Sequence, residues 1–152
     1  RYDIARRTIR QPGLTRFIAA CLLPGYFWLM FAGAMWLWWA DRFVAGPQYD
    51  AMLHSVMLGY VFSMIFGHAP VIIPATMNVG FRYRPAFYAH LALLHLGLLL
   101  RIVGDLAFAD PFNSVRLWGG MLNVIALLLF LGNTLRSVRP GEQPSFTEKK
   151  PT

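Results

Sequence analysis

The sequence predicts an all-α integral membrane four-helix bundle, and three observations carry that reading. The 152-residue chain is 57% hydrophobic. Its mean hydropathy is +0.46, more apolar than a soluble domain of this size can bury. The apolar residues fall into four uncharged or nearly uncharged runs, and a bilayer crossing consumes roughly 20 such residues. Most basic residues flank those runs rather than interrupting them.

The first run, residues 17–40, carries no charge and gathers Trp36, Trp38 and Trp39 at one end, where an aromatic belt meets the membrane interface. Residues 1–16 precede it with Arg1, Arg6, Arg7, Arg10 and Arg16, the first of these in an amphipathic stretch suited to the membrane surface. The first residue is not Met, which leaves open whether a stretch precedes it. A short loop with Gly46-Pro47 leads to a second helix over 51–76, in which Pro70 and Pro74 predict a kink or loosened last turns. Arg82, Arg84 and Pro85 mark the next loop, and a third helix covers 86–108. After a turn at Asp110-Pro111 a fourth helix runs over 117–135, opening with Trp118-Gly119-Gly120, two glycines expected to allow close packing. The tail 136–152 is polar and rich in Pro, Glu and Lys, a composition that predicts disorder.

Eleven of the fourteen basic residues lie in the N-terminal segment, the second loop or the tail, which share one side if four helices alternate. The positive-inside rule makes that side cytoplasmic, so the expected topology is N-in/C-in in a bacterial inner membrane. Net charge +7 therefore describes topology, not a nucleic-acid partner. The single cysteine, Cys21, excludes an internal disulfide and a CxxC motif, and a packed structural role is expected for it. No phosphate loop, hydrolase triad or Cys-rich cluster is present.

All four histidines, His54, His68, His90 and His95, lie within the predicted second and third helices, where an ionisable group is costly and marks a candidate site. The plain alternative is hydrogen bonding across helix interfaces. At about 100° and 1.5 Å per residue, His54 and His68 lie within about 40° of one face and about 21 Å apart, the spacing of one helix of a di-haem bundle. His90 and His95 do not repeat it, being about 140° apart. Measured from the cytoplasmic ends, His68 lies roughly 13 Å deep, His95 roughly 15 Å and His90 roughly 8 Å. His68 and His95 are thus the expected pair for one metal, with His90 as substitute. Imidazole suits haem iron or copper, and with two matched histidines a bis-His haem b is simpler than a copper site.

Near the opposite surface His54 and Asp105 fall at about 35 and 30 Å by the same count, and Arg101 and Asp105 form an i,i+4 couple. This outer polar cluster reads either as a structural ion pair or as a quinone or proton site. Asn123 is expected to bond across a helix interface. Met52, Met57 and Met64 are read as packing.

The stretch H-S-V-M-L-G-Y-V-F-S-M-I-F-G-H-A-P-V-I-I-P from His54 resembles a helix of the NnrS family of bacterial haem- and copper-containing membrane proteins. The matching positions are His54, Gly59, Tyr60, Gly67 and Pro74, with Thr15-Arg16-Phe17 upstream and Leu100 to Gly104 downstream also similar. The Gly67-His68-Ala69-Pro70 run departs from the pattern. A looser likeness exists to the haem-ligand helix of cytochrome oxidase subunit I. Either resemblance implies His54 as a haem or copper ligand, in competition with His68 and His95. The expected function is a membrane redox subunit binding haem b, with copper as the other option, in a bacterial respiratory or nitrogen-oxide-related system, with lipid, other membrane subunits and a quinone as partners. The alternative is a cofactor-free accessory subunit of a larger respiratory or photosynthetic complex.

Overall fold

The structure is a computed structural model that describes residues 13–40, 45–108 and 113–140. Among them run four helices: α1 (Leu14–Trp38), α2 (Pro47–Met77), α3 (Phe87–Ala107) and α4 (Ser114–Ser137), each long and apolar enough to cross a membrane. The expected basic segment 1–16 is shortened at its end, because Leu14 to Arg16 already form the first turn of α1; residues 1–12 lie outside the described residues. The expected Asp110-Pro111 turn lies outside them as well.

α1 buries Phe17, Ala19, Cys21, Gly25, Trp28, Ala32 and Met35, and all but Ala19 recur at a spacing of three and four residues that makes one stripe. That stripe packs along α2. The partner stripe on α2 is built differently. Ala51, Ser55, Gly59, Ser63 and Gly67 are all small, all buried and spaced by four, a step that drifts around a regular helix of 3.6 residues per turn. The backbone accommodates it by widening: Ser55–Phe62 is a π-helical segment between the α-helical Pro47–His54 and Ser63–Met77. Bonding from i to i+5 puts more residues in each turn and so keeps positions four apart closer to one line.

Small residues on that line allow close approach. A Cβ on Gly59 would meet Trp28 side-chain carbons at 2.5 Å, one on Gly67 would meet Cys21 Cβ at 3.1 Å, and one on Gly25 the Met64 methyl at 3.0 Å. Cys21 is accordingly a buried packing residue. Pro70 and Pro74 sit within Ser63–Met77 without ending it, so the irregularity of α2 lies upstream of the prolines, at the small-residue line. Asn78, in the left-handed region at φ 51°, caps the helix.

α3 and α4 form the tightest pair. A Cβ on Gly119 would lie 2.5 Å from the Arg101 backbone nitrogen, and one on Gly97 would lie 2.8 Å from the Gly119 carbonyl oxygen. One on Gly104 would lie 2.7 Å from the Arg116 nitrogen. This is backbone-to-backbone packing of the kind small residues permit between membrane helices. Asn123 lies in the same seam, buried, but its amide atoms have no hydrogen-bond partner; the expected cross-helix bond is not formed.

At the end of the bundle that holds the α2–α3 loop, Gly80–Phe81 (β1) pairs antiparallel with Val138–Arg139 (β2). The expectation of disorder from residue 136 onward is corrected there: Arg136 and Ser137 complete α4, and the next two residues are tied to the loop by the ladder and by Arg82 N–H donating to Ser137 O at 2.9 Å. Residues 141–152 lie outside the described residues. The aromatic core at this end centres on Phe17, Phe66 and Phe87 around the ring of His90.

Candidate functional site: the helix histidines and the polar cluster

The four histidines fall into two classes by what their Nδ1 atoms touch. On α2, His54 Nδ1 lies 2.8 Å from the Asp50 carbonyl oxygen, and His68 Nδ1 lies 2.8 Å from the Met64 carbonyl oxygen. A carbonyl only accepts, so in each ring Nδ1 donates, and in the neutral ring Nε2 keeps its lone pair. On α3 the polarity is reversed. Trp28 Nε1–H donates to His95 Nδ1 at 3.0 Å, and an indole N–H has no other role. His95 therefore carries its proton on Nε2. The amide nitrogen of Asn133, oriented by donating to Ala86 O, lies 3.3 Å from His90 Nδ1, which makes that atom an acceptor as well.

Burial divides them differently, with His54 and His95 both half-buried. His90 is fully buried, its ring met edge-on by Phe17, Phe66, Phe87 and Phe130. The Nε2 atoms of His90 and His95 are buried without partners. His68 is exposed on the outer side of α2. The His68–His95 pairing expected from depth is not what the structure presents. His68 faces outward, whereas His95 is engaged by α1 and offers an N–H where a metal needs a lone pair. Equal depth said nothing of direction. The same-face relation of His54 and His68 also assumed 100° per residue, which the π segment between them does not keep. Among the described residues no group of three or more His, Cys, Asp and Glu side chains could hold a metal ion.

Asp50, His54, Arg101, Asp105 and Arg116 form a polar cluster at the opposite end from the β ladder. Arg101 Nη2 and Arg116 Nη2 both donate to Asp50 Oδ2, at 2.9 and 2.8 Å. Arg116 Nε approaches Asp105 Oδ1 at 2.9 Å, an ion pair whose geometry falls short of a linear hydrogen bond. Asp105 has no exposed side-chain surface. His54 Nδ1 lies 3.4 Å from Asp50 Oδ1, so its acidic neighbour is Asp50 and not the expected Asp105. Likewise the expected Arg101–Asp105 couple within α3 is replaced by contacts between helices, Arg101 to α2 and Asp105 to α4. Asn113 secures the α4 end: its Oδ1 accepts from Arg116 N–H and its Nδ2 donates to Gly104 O, both at 2.9 Å.

The sequence reading missed Asp50 and Arg116. Both lie in segments read as loop, one residue before the predicted start of each helix, and the available signal was Pro47 at the first helical position of α2 and Asn113 before Ser114 as an N-cap. Either moves the helix start outward and brings the charge inside.

Residues 1–139 match the model of a family described as "Domain of unknown function (DUF8744)". The chain belongs to that family. No curated protein and no solved structure matches the sequence. The match to the DUF8744 model spans all four helices together with the histidines and the polar cluster, so these belong to a single family unit.

Proposed function

We propose that the protein is a multi-pass redox subunit of a bacterial inner membrane, both ends cytoplasmic, that binds haem b through a histidine of α2. The observation that carries this reading is the Nδ1 bonding of His54 and His68 to carbonyls of their own helix. A haem-ligating histidine is held in this way, with the backbone taking the Nδ1 proton so that the ring is fixed and Nε2 is free for iron. His68, exposed on the outer side of α2, is the preferred ligand, and any further protein ligand would come from another membrane subunit or a second copy. The likeness of the His54 to Pro74 stretch to the NnrS family supports haem or copper; the residues here fit haem better, because copper sites draw on more ligands than one helix face supplies. When bound, haem supplies one-electron transfer. The chain's own residues fix the ring, exclude water from the bundle core through the aromatic cluster around His90, and close the α2, α3 and α4 ends through Asp50.

The test is the reduced-minus-oxidised absorption spectrum of the protein purified with its native membrane partners. The expected result is a Soret and α band that is lost in His68→Ala and retained in His95→Ala. A colourless preparation from haem-replete cells, or bands lost only in His95→Ala, would overturn the assignment. The alternative of an accessory subunit draws on α4, the least buried of the four spans, whose Leu117, Met121, Val124, Leu128 and Leu135 are exposed. Co-purification of a colourless chain with a larger complex would favour it.

A further inference from the structure

The end of the bundle that carries the β ladder contains a cavity unrelated to the histidines. It has a volume of about 360 Å³ and is lined by Gly13, Arg16, Tyr83, Pro85 and Tyr88. Its residues come from the start of α1, the α2–α3 loop and the first turn of α3. Phe17 forms a packed floor, its ring 5.8 Å from Tyr83 and 5.4 Å from Tyr88. We propose that this cavity binds the phosphoryl headgroup of an anionic phospholipid.

Three independent features point to a phosphoryl group. Arg16 is exposed at the cavity, and a guanidinium presents a planar fork that matches two phosphate oxygens. α1 begins here with Gly13 as its N-cap and no side chain closing the cap, so the amide N–H groups of its first turn remain available beside the arginine. The phenols of Tyr83 and Tyr88 are hydrogen-bonded to each other, so the pair leaves one neutral O–H donor for a ligand. Burial, with Tyr88 beside it, pushes the Tyr83 hydroxyl up to about 12, so it keeps its proton at any physiological pH.

The surroundings select an anion and place it at the membrane surface. Among the described residues the only acidic side chains are Asp50 and Asp105, both in the cluster at the other end. Arg82, Arg84, Arg136 and Arg139 are exposed around this end, and no carboxylate among the described residues neutralises them. The cavity lies where membrane spans begin, which is headgroup depth, and basic clusters at that level attract anionic lipids. Its volume exceeds that of a bare phosphate, and Pro85 with the aromatic rims gives apolar contact to the glycerol portion. The proposal is independent of haem.

Thermal unfolding of the full-length protein in neutral detergent tests it, with phosphatidylglycerol, phosphatidylcholine and inorganic phosphate as probes. Phosphatidylglycerol at on the order of 100 times its Kd is expected to raise the midpoint by about 5 °C, and phosphatidylcholine is expected to raise it far less. Arg16→Gln should abolish the shift. Tyr83→Phe, which keeps the ring packing, should reduce it, and Arg139→Gln, outside the cavity, should leave it intact. Equal stabilisation by both lipids, or equal loss in Arg139→Gln, would overturn the site. A matching shift with inorganic phosphate, also abolished by Arg16→Gln, would overturn the lipid assignment in favour of free phosphate.

Discussion

The two ends of the bundle hold similar arginines in opposite circumstances. At one end Arg101 and Arg116 converge on Asp50, with Asp105 supplying the second negative charge, so two cations meet two anions drawn from three helices. At the other, Arg16, Arg82, Arg84, Arg136 and Arg139 are exposed and have no acidic partner among the described residues. A charge at the end of an apolar span must be compensated by the protein or by the headgroup region. The first end uses protein, and there the charges join helices. In the proposed membrane topology the second leaves its charges to the headgroup region, where they bear on orientation instead of cohesion.

The largest expected effect comes from breaking what the compensated end is built on. Arg116 reaches Asp50 and Asp105 because α4 lies against α3 along Gly97, Gly104 and Gly119. In Gly119→Leu the side chain must displace the Arg101 backbone, with a Cβ already 2.5 Å from its nitrogen. No rotamer relieves a contact that starts at Cβ, so size-exclusion chromatography should show no monodisperse peak. Gly33→Leu, at a glycine with open space around it, should elute normally. Equal behaviour of the two variants would refute the seam.

Next in size is Asp50→Asn, which leaves two arginines and their mutual repulsion in a site where Asp50 is only a quarter exposed. Removing one partner of a largely buried pair costs on the order of 3 kcal/mol, and chemical or thermal unfolding in detergent should register a loss of that size. In the double variant Asp50→Asn, Arg101→Gln the second change should cost much less than it does alone, since the charge it removes is already unpaired. Additive losses would mean that the two side chains do not share the ion pair seen here.

The contrast between the ends also separates what the sequence makes legible from what it conceals. The four long apolar helices could be read because hydropathy is a local property of each segment. The arginines of the basic end could be read for the same reason. The compensated end was half visible: Arg101 and Asp105 stand out as charges inside an apolar run, but their partners depend on which helices meet, and Asp50 and Arg116 sat just outside the predicted boundaries. The histidines were visible as residues and opaque as ligands. Whether a ring donates or accepts at Nδ1 depends on a neighbour such as Trp28, sixty-seven positions from His95, and no local pattern encodes that contact. The π segment was concealed by the assumption of 100° per residue, although five small residues at intervals of four along α2 were there to be counted.

The smallest expected effect on stability, and the most specific to the uncompensated end, belongs to Arg82 and Arg84. Both are exposed in the α2–α3 loop, so Arg82→Gln, Arg84→Gln should leave the unfolding midpoint unchanged within error. What should change is topology. A short loop carrying two arginines resists translocation, and the variant removes the only basic residues between α2 and α3. A cysteine placed at Ala86 in a Cys21→Ser background should be closed to a membrane-impermeant thiol reagent in intact cells when the arginines are present. It should become partly labelled when they are absent, and more fully if Arg136 and Arg139 are neutralised too. Labelling unaffected by the substitutions would assign orientation to the N-terminal arginines alone. Lost stability without a labelling change would mean that this end, like the other, uses its arginines to hold helices together.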